Sequence, residues 1–294
     1  MKTLVKTIAI ALVALTVFSI VGCKKTPSNA PANGVKPVIL VVSFGTSYND
    51  SREKTIGAIE NALKAAYPDY EIRRAFTADT IINILKERDN IEVDNVHEAM
   101  ERLVADGVKE VIIQPTHIMS GYEYDDVAAE VNSYADKFDS LKISKTMLTE
   151  DSDFDTMVEI LTKSTEEYAA DDTAIVYMGH GTEHAANATY AKLQSALTAA
   201  GHTNYFIGTV EATPSVDDVL AAVKAGGYTK VVLIPLMIVC GDHANNDMAG
   251  DEEDSWKTIF TEAGFEVTCV LRGLGENADI QQLVVKHCGE TIGK

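Results

Sequence analysis

The 294-residue chain is 46% hydrophobic and 23% charged, the balance of a globular protein with room for two domains of ordinary size. Acidic residues outnumber basic ones by 44 to 25, and the resulting net charge of −19 excludes nucleic acid and anionic lipid surfaces as partners while tolerating free metal cations. Seven prolines and nineteen glycines leave no room for a long disordered stretch beyond the N-terminus.

The first residues form a separate object. Lys2 and Lys6 make a positive start, and Ile8 to Val21 make an apolar run closed by Lys24 and Lys25, too short for a membrane span. The run ends in Ile20-Val21-Gly22-Cys23, which is similar to the lipobox of a bacterial lipoprotein signal peptide. Residues 1–22 are therefore expected to be a signal peptide and Cys23 the lipidated N-terminus of an exported protein, membrane-anchored on the periplasmic or cell-surface side. Loss of residues 1–22 removes two lysines and no acid, which takes the net charge from −19 to −21. Residues 23–36, rich in Pro, Asn, Ser and Ala, read as a flexible tether. Cys240, Cys269 and Cys288 remain, an odd number with no C-x-x-C pair, and are expected to be buried structural thiols.

From residue 37 short apolar runs alternate with amphipathic stretches. Val38–Ser43 predicts a buried parallel strand. Asp50–Tyr67 predicts a helix through Ile56, Ile59 and Leu63. Tyr70–Phe76 is a second strand, and Asp94 opens a helix that ends at Gly107. Val111–Gln114, a helix over about 124–138, and the strand Leu141–Met147 follow. The order then restarts with the strand Thr173–Met178, the helix Ala185–Ala200 and the strand Tyr205–Thr209. The helix Val216–Ala225, the strand Val231–Pro235, the helix Asn246–Ala263, the strand Phe265–Leu271 and a terminal helix from about Asn277 complete it.

The halves echo each other. Phe44-Gly45-Thr46 corresponds to His180-Gly181-Thr182, and the run Val108–Pro115 to Tyr228–Pro235, each proline followed six residues later by a glycine, Gly121 or Gly241. The expected fold is α/β: two similar Rossmann-like domains with parallel sheets, residues 37–150 and 151–294, facing a central cleft. The terminal helix is free to pack back on the first domain. Ligands of such folds bind beyond the carboxyl ends of the strands.

The polar oddities fall at those ends. His180 follows the run Ala174–Met178, Glu211 follows Phe206–Val210, and His243 lies past Val231–Pro235 and Gly241. Two imidazoles and a carboxylate suit a borderline divalent ion such as Co²⁺, Fe²⁺, Ni²⁺ or Zn²⁺, and three protein ligands leave positions open for a substrate. The opposing expectation is that each merely caps a helix or faces water. His180-x-x-x-His184 is no zinc-protease motif, because Gly181 stands where that motif needs Glu; His184 reads as a helix-start residue or one supporting the ligands. His117 and Glu123, at the matching edge of the first half, read as solvated loop residues. His97, His202 and His287 read as surface or structural positions. The acidic run Asp247–Asp254 reads as a solvated helix start. Neither glycine loop is a dinucleotide or phosphate motif, and no G-x-S-x-G elbow occurs, which excludes a nucleotide cofactor and serine hydrolysis.

The runs VVSFGTSYNDSREKTI, QPTHIMSGYEYDD, MGHGTEHAAN, GTVEATPSVDDV and VCGDHANNDMAGDEEDSW together resemble the anaerobic sirohydrochlorin cobaltochelatases, over residues 37–290. The resemblance implies the chelatase class that includes ferrochelatase, two Rossmann-like domains, and metal insertion into sirohydrochlorin or a related tetrapyrrole, with Co²⁺ the first-choice metal substrate and Fe²⁺ or Ni²⁺ open. It places the metal ligands at His180, Glu211 and His243, with one histidine also accepting a pyrrole proton. The ring is expected against Phe44, Thr46, Ser47, Met119, Ser120 and Tyr122, and Arg52, Lys54, Arg73 and Arg74 are candidates to grip its carboxylates. A homo-oligomer and haem as a further ligand stay open. The export signal departs from the family's usual cytoplasmic setting and keeps two rivals in view, an exported tetrapyrrole or metal carrier without catalysis and a solute-binding lipoprotein.

Overall fold

The computed structural model describes residues 34–294. The expected signal peptide, Cys23 and most of the tether lie outside the described residues. The last residues of the tether are docked: Val35 packs on the first half's core, and the Lys36 ammonium donates to the Pro68 carbonyl at 3.3 Å.

The first half runs β1 (Val38–Ser43), α1 (Asn49–Arg52), α2 (Ala58–Ala66), β2 (Glu71–Phe76), α3 (Asp79–Asp89), α4 (Val96–Ala105), β3 (Glu110–Pro115), α5 (Tyr122–Asn132) and β4 (Ser140–Ile143). The second half runs α6 (Asp151–Ser164), β5 (Thr173–Gly179), α7 (Ala188–Ala199), β6 (Tyr205–Thr209), α8 (Val216–Ala225), β7 (Lys230–Pro235), α9 (Trp256–Glu262), β8 (Glu266–Cys269) and α10 (Ala278–Ile292). Each half builds one four-stranded, all-parallel sheet, in the order β2-β1-β3-β4 and then β6-β5-β7-β8. The identical order is what a duplicated unit produces, and in each sheet it reverses beside the first strand, where a crevice opens at the strand ends.

Strand alternation decides how the layers pack. Ile39 and Val41 of β1 and Ile175 and Tyr177 of β5 point to one shared core with Phe154, Met157 and Leu161 of α6 and Ile280, Leu283 and Val284 of α10. Val38, Leu40 and Val42 face a separate cluster with α4 and α5. Ala174, Val176 and Met178 face another with α8 and α9. The halves are thus joined through their inner faces, and each of these fully buried aliphatic side chains stabilises by about 1.5–3 kcal/mol. α10 crosses onto the first half, where the Tyr67 hydroxyl donates to the Val285 carbonyl at 2.7 Å and Lys142 to that of Thr291 at 3.1 Å.

Several elements differ from the sequence expectation. The helix expected over Asp50–Tyr67 is interrupted by a π-helical turn at Glu53–Gly57, with Thr55 and Ile56 fully buried. The helix expected over Asn246–Ala263 is a π-helical turn, Ala244–Met248, followed by a bend and then α9, which Ser255 caps by accepting from the Thr258 amide. The strand expected at Leu141–Met147 stops at Ile143, and the one at Phe265–Leu271 stops at Cys269, because pairing with the central neighbour ends there. α3 and α6 lie outside the sequence expectation. α6 carries Phe154, Met157, Val158 and Leu161 at helical spacing behind a capping box of Glu150 and Asp153.

Candidate metal centre

β5 is buried along its whole length and ends on Gly179, where a Cβ would sit 2.3 Å from the Tyr190 ring. Beyond it Gly181 takes φ +90° and packs so closely on the β6 side that a Cβ would come 2.8 Å from the Ala212 amide. The strand pairing continues past both strands: the Val210 amide donates to Gly179 at 3.0 Å and the Glu211 amide to the His180 carbonyl at 2.8 Å. This pairing sets Glu211 beside His180. Glu211 Oε2 lies 3.7 Å from His180 Nδ1, an electrostatic contact rather than a hydrogen bond.

His180 Nδ1 donates to the Gly181 carbonyl at 2.8 Å, which leaves Nε2 with its lone pair. His243 opens the π-helical turn after β7, and its ring centroid lies 4.7 Å from that of His180 at 87°. One donor atom from each of His180, Glu211 and His243 falls within 4.8 Å of the other two. An ion held at about 2.0–2.2 Å keeps its ligands within roughly 4.4 Å of one another, so small side-chain rotations close the set. Both His180 and Glu211 are about half exposed, with side-chain exposures of 48% and 55%, so the donors face an opening.

Asp247, read from sequence as part of a solvated acidic face, contacts the centre directly: its Oδ2 accepts from His243 Nδ1 at 2.5 Å. The i,i+4 spacing of the two residues was the available signal. Asp251–Asp254 are exposed, as expected of a solvated face, with Asp251 paired with Lys257 at 2.5 Å, whereas Met248 is fully buried.

The first half touches the second at His184. Tyr122 packs edge-on against the His184 ring at 4.8 Å, and Asp125 Oδ2 lies 3.5 Å from His184 Nε2. His184 also caps the next turn, Nδ1 accepting from the Ala186 amide at 3.0 Å. Phe44 and Tyr122 are large apolar groups exposed at 48% and 58%. Ser47, Met119 and Ser120 are half-buried, Ser120 bonded to the Thr146 hydroxyl at 3.1 Å. Thr46 corrects the expectation, because it is buried, its Oγ1 accepts from the Tyr48 amide at 3.2 Å, and it shapes the loop instead of facing a ligand.

The expected basic rim is also corrected. Arg74 grips Glu60 through two bonds of 2.6 Å, and Arg73 is held by Glu71 and Asp106 at 2.9 and 2.6 Å. Arg52 is buried and donates to Asn49 Oδ1 at 2.7 Å, bracing the loop after β1. Lys54 remains exposed. His117 is no solvated residue: its side chain is only 10% exposed, its Nε2 lies 3.2 Å from Glu123, and neither ring nitrogen makes an aligned hydrogen bond. His287 is structural, buried against Asp153 at 3.0 Å, and His97 is a surface residue bonded to Glu130 at 2.8 Å. Cys240 and Cys288 are buried free thiols and Cys269 is half-buried. Burial lifts the Cys240 thiol to about 11 and that of Cys288 to about 12, which keeps both protonated and inert.

Residues 37–293 match the family model of cobalt chelatase, CbiK. The chain belongs to the CbiK cobalt chelatase family. A member from Salmonella typhimurium named sirohydrochlorin cobaltochelatase is 40% identical over 258 residues, which are 88% of this chain and 97% of that one. Another from Nitratidesulfovibrio vulgaris Hildenborough, sirohydrochlorin cobaltochelatase CbiKC, is 30% identical over 254 residues, 86% of this chain and 89% of that one. Among solved structures, SirB from Bacillus subtilis with Fe³⁺ superposes with a TM-score of 0.61 at 12% identity, covering 87% of this chain and 96% of its own. CbiX, described as the terminal enzyme for siroheme biosynthesis in denitrifying bacteria, gives 0.52 at 13% identity, covering 86% and 98%. At such identities these two establish the fold, which is that of the chelatases. The CbiK family is the one the sequence motifs resemble.

Proposed function

We propose that this CbiK-family protein is a sirohydrochlorin cobaltochelatase, with His180, Glu211 and His243 holding Co²⁺ as it passes into the ring. The observation that carries the reading is the convergence of those three donors, from the ends of β5, β6 and β7, within 4.8 Å. The 40% identity to a cobaltochelatase across nearly its whole length supports the substrate pair.

The chemistry follows from the donor set. Insertion of Co²⁺ into a free-base ring releases two pyrrole protons, so the site must hold a cation, shed its water and accept protons. Two imidazoles and one carboxylate bind a borderline ion while leaving coordination positions for ring nitrogens. Glu211 lowers the net charge of the loaded site, and an imidazole freed as the ion departs is a base within reach of the ring. The macrocycle lies against Phe44 and Tyr122, flanked by Ser47, Met119 and Ser120. Fe²⁺ and Ni²⁺ share these ligand preferences, and Co²⁺ is favoured by the kinship alone.

Incubation of the protein with sirohydrochlorin and Co²⁺, followed by the ring's visible absorption, tests the reading. Metallation no faster than in protein-free solution sinks it, and tight tetrapyrrole binding without metallation would favour the carrier.

The lipid anchor is a proposal of the same kind. The run ending in Gly22-Cys23 supports export, cleavage after residue 22 and acylation of Cys23. Fractionation of cells expressing the wild type and Cys23→Ala tests it: the wild type is expected with membranes, and an unchanged distribution of the variant rules the anchor out.

A further inference from the structure

We propose that Asp247 is the positioning residue of the metal centre, fixing the His243 ring so that Nε2 faces Co²⁺. The inference rests on the chelatase reading and adds to it a residue outside the three donors.

The bond between His243 Nδ1 and Asp247 Oδ2 is 2.5 Å long. An ionised carboxylate only accepts, so the proton sits on Nδ1 and the lone pair on Nε2. Neutral imidazole in water prefers the opposite tautomer, so the contact selects the form that ligates through Nε2. Among the described residues no lysine or arginine pairs with Asp247, which leaves its charge to the imidazole.

The backbone makes this contact rigid. His243 precedes and Asp247 belongs to the π-helical turn Ala244–Met248, whose first and last residues are fully buried. Gly250 closes the turn against Asn246, whose carbonyl oxygen a Cβ would meet at 2.3 Å. π-helical turns recur at functional sites because they re-aim one side chain without breaking the segment. His180 differs, since its Nδ1 donates only to the neutral carbonyl of Gly181. The carboxylate therefore makes the His243 ring the more firmly oriented of the two ligands.

The test titrates Co²⁺ into the full-length protein and into Asp247→Ala, Asp247→Asn and Asp251→Ala, reading the visible absorption of bound Co²⁺. Asp251 belongs to the same acidic run but is turned to solvent beside Lys257, so it controls for bulk charge. Asp247→Ala is expected to weaken Co²⁺ binding by about 10–100-fold. Asp247→Asn, which keeps an acceptor at the same place, recovers part of that loss, and Asp251→Ala stays within about twofold of wild type, in the range of ordinary surface changes. Imidazole ¹⁵N spectra of the metal-free protein should place the His243 proton on Nδ1 in the wild type and Asp247→Asn, and shift it toward Nε2 in Asp247→Ala. A folded Asp247→Ala that binds Co²⁺ as tightly as wild type overturns the role of Asp247, as does an Asp251→Ala that loses equal affinity. If Asp247→Ala does not fold, a wild-type spectrum with the proton on Nε2 overturns it as well. A wild type that binds no Co²⁺ overturns the chelatase reading itself, a result distinct from all of these.

Discussion

The rings of His180 and His243 stand 4.7 Å apart between centroids and nearly perpendicular, at 87°, although 62 positions separate them in the chain. The two imidazoles meet edge to face beside the Glu211 carboxylate. His180→Ala removes one donor and leaves the core untouched. We expect at least a hundredfold loss of cobalt insertion, beyond what loss of a supporting partner costs, with stability changed by no more than about 0.5 kcal/mol. Absorbance kinetics paired with a thermal melt check both halves of that statement.

Gly181 tests the scaffold behind those donors. At φ +90° and with a Cβ destined to strike Ala212 at 2.8 Å, Gly181→Ala must push β6's extension, and with it Glu211, away from His180. The expected cost is about 1–3 kcal/mol of stability together with weakened Co²⁺ binding. Unaltered metal affinity in this variant would show that the Glu211 placement is not set by this loop.

The ring-binding assignment turns on Phe44 and Tyr122. Tyr122→Ala should raise the KM for sirohydrochlorin roughly 3–10-fold, the value of one lost aromatic contact, and leave kcat nearly unchanged. Steady-state kinetics with the ring as the varied substrate distinguish this from a metal-site defect, which alters the Co²⁺ dependence instead.

A buried polar knot joins α10, α6 and the segment after β4. His287 of α10 meets Asp153 of α6 at 3.0 Å, and Lys145, after β4, lies 3.7 Å from the same carboxylate. Burial pushes the His287 imidazole below its ordinary 6.5, outweighing the Asp153 bond that raises it. Burial also acts to raise Asp153, but bonds from the Glu150 amide, His287 and the Thr149 amide hold it below 3.8. The unfolded chain therefore binds a proton at His287 that the folded one refuses, so stability falls as the pH drops below about 6.5. The Asp153 contribution, present above 3.8, is lost only as pH falls through its lower folded value. Urea midpoints from pH 8 to 4 should decline in the wild type and flatten between 6.5 and 5 in His287→Gln. Asp153→Ala should cost roughly 1–3 kcal/mol at pH 7.5, since it leaves the N–H of a buried neutral imidazole without an acceptor.

Much of the architecture was legible from residue pattern. β1, β5 and β7 are uninterrupted apolar, β-branched runs, which only a strand covered on both faces requires, and the paired echoes around Pro115 and Pro235 announced two equal sheets. α6 was equally legible through its capping box and apolar stripe but lies in the connection between the repeats, where the strand alternation gives no guide. The two π-helical turns were not legible, because a five-residue hydrogen-bond step leaves the local apolar spacing almost unchanged. His117 read as solvated because its burial comes from packing of distant segments.

By itself the sequence determined the chemistry available: which strands end in imidazole or carboxylate, where glycine permits φ near +90°, and which family's motifs recur. Strand periodicity and glycine conformation are properties of a few neighbouring residues, so they survive in one dimension. The meeting of His180, Glu211 and His243, the aim that Asp247 gives one ring, and the diversion of Arg73 and Arg74 into ion pairs were decided only by the tertiary structure. Each depends on distances between segments tens of residues apart, and parallel sheet order and core packing set those distances.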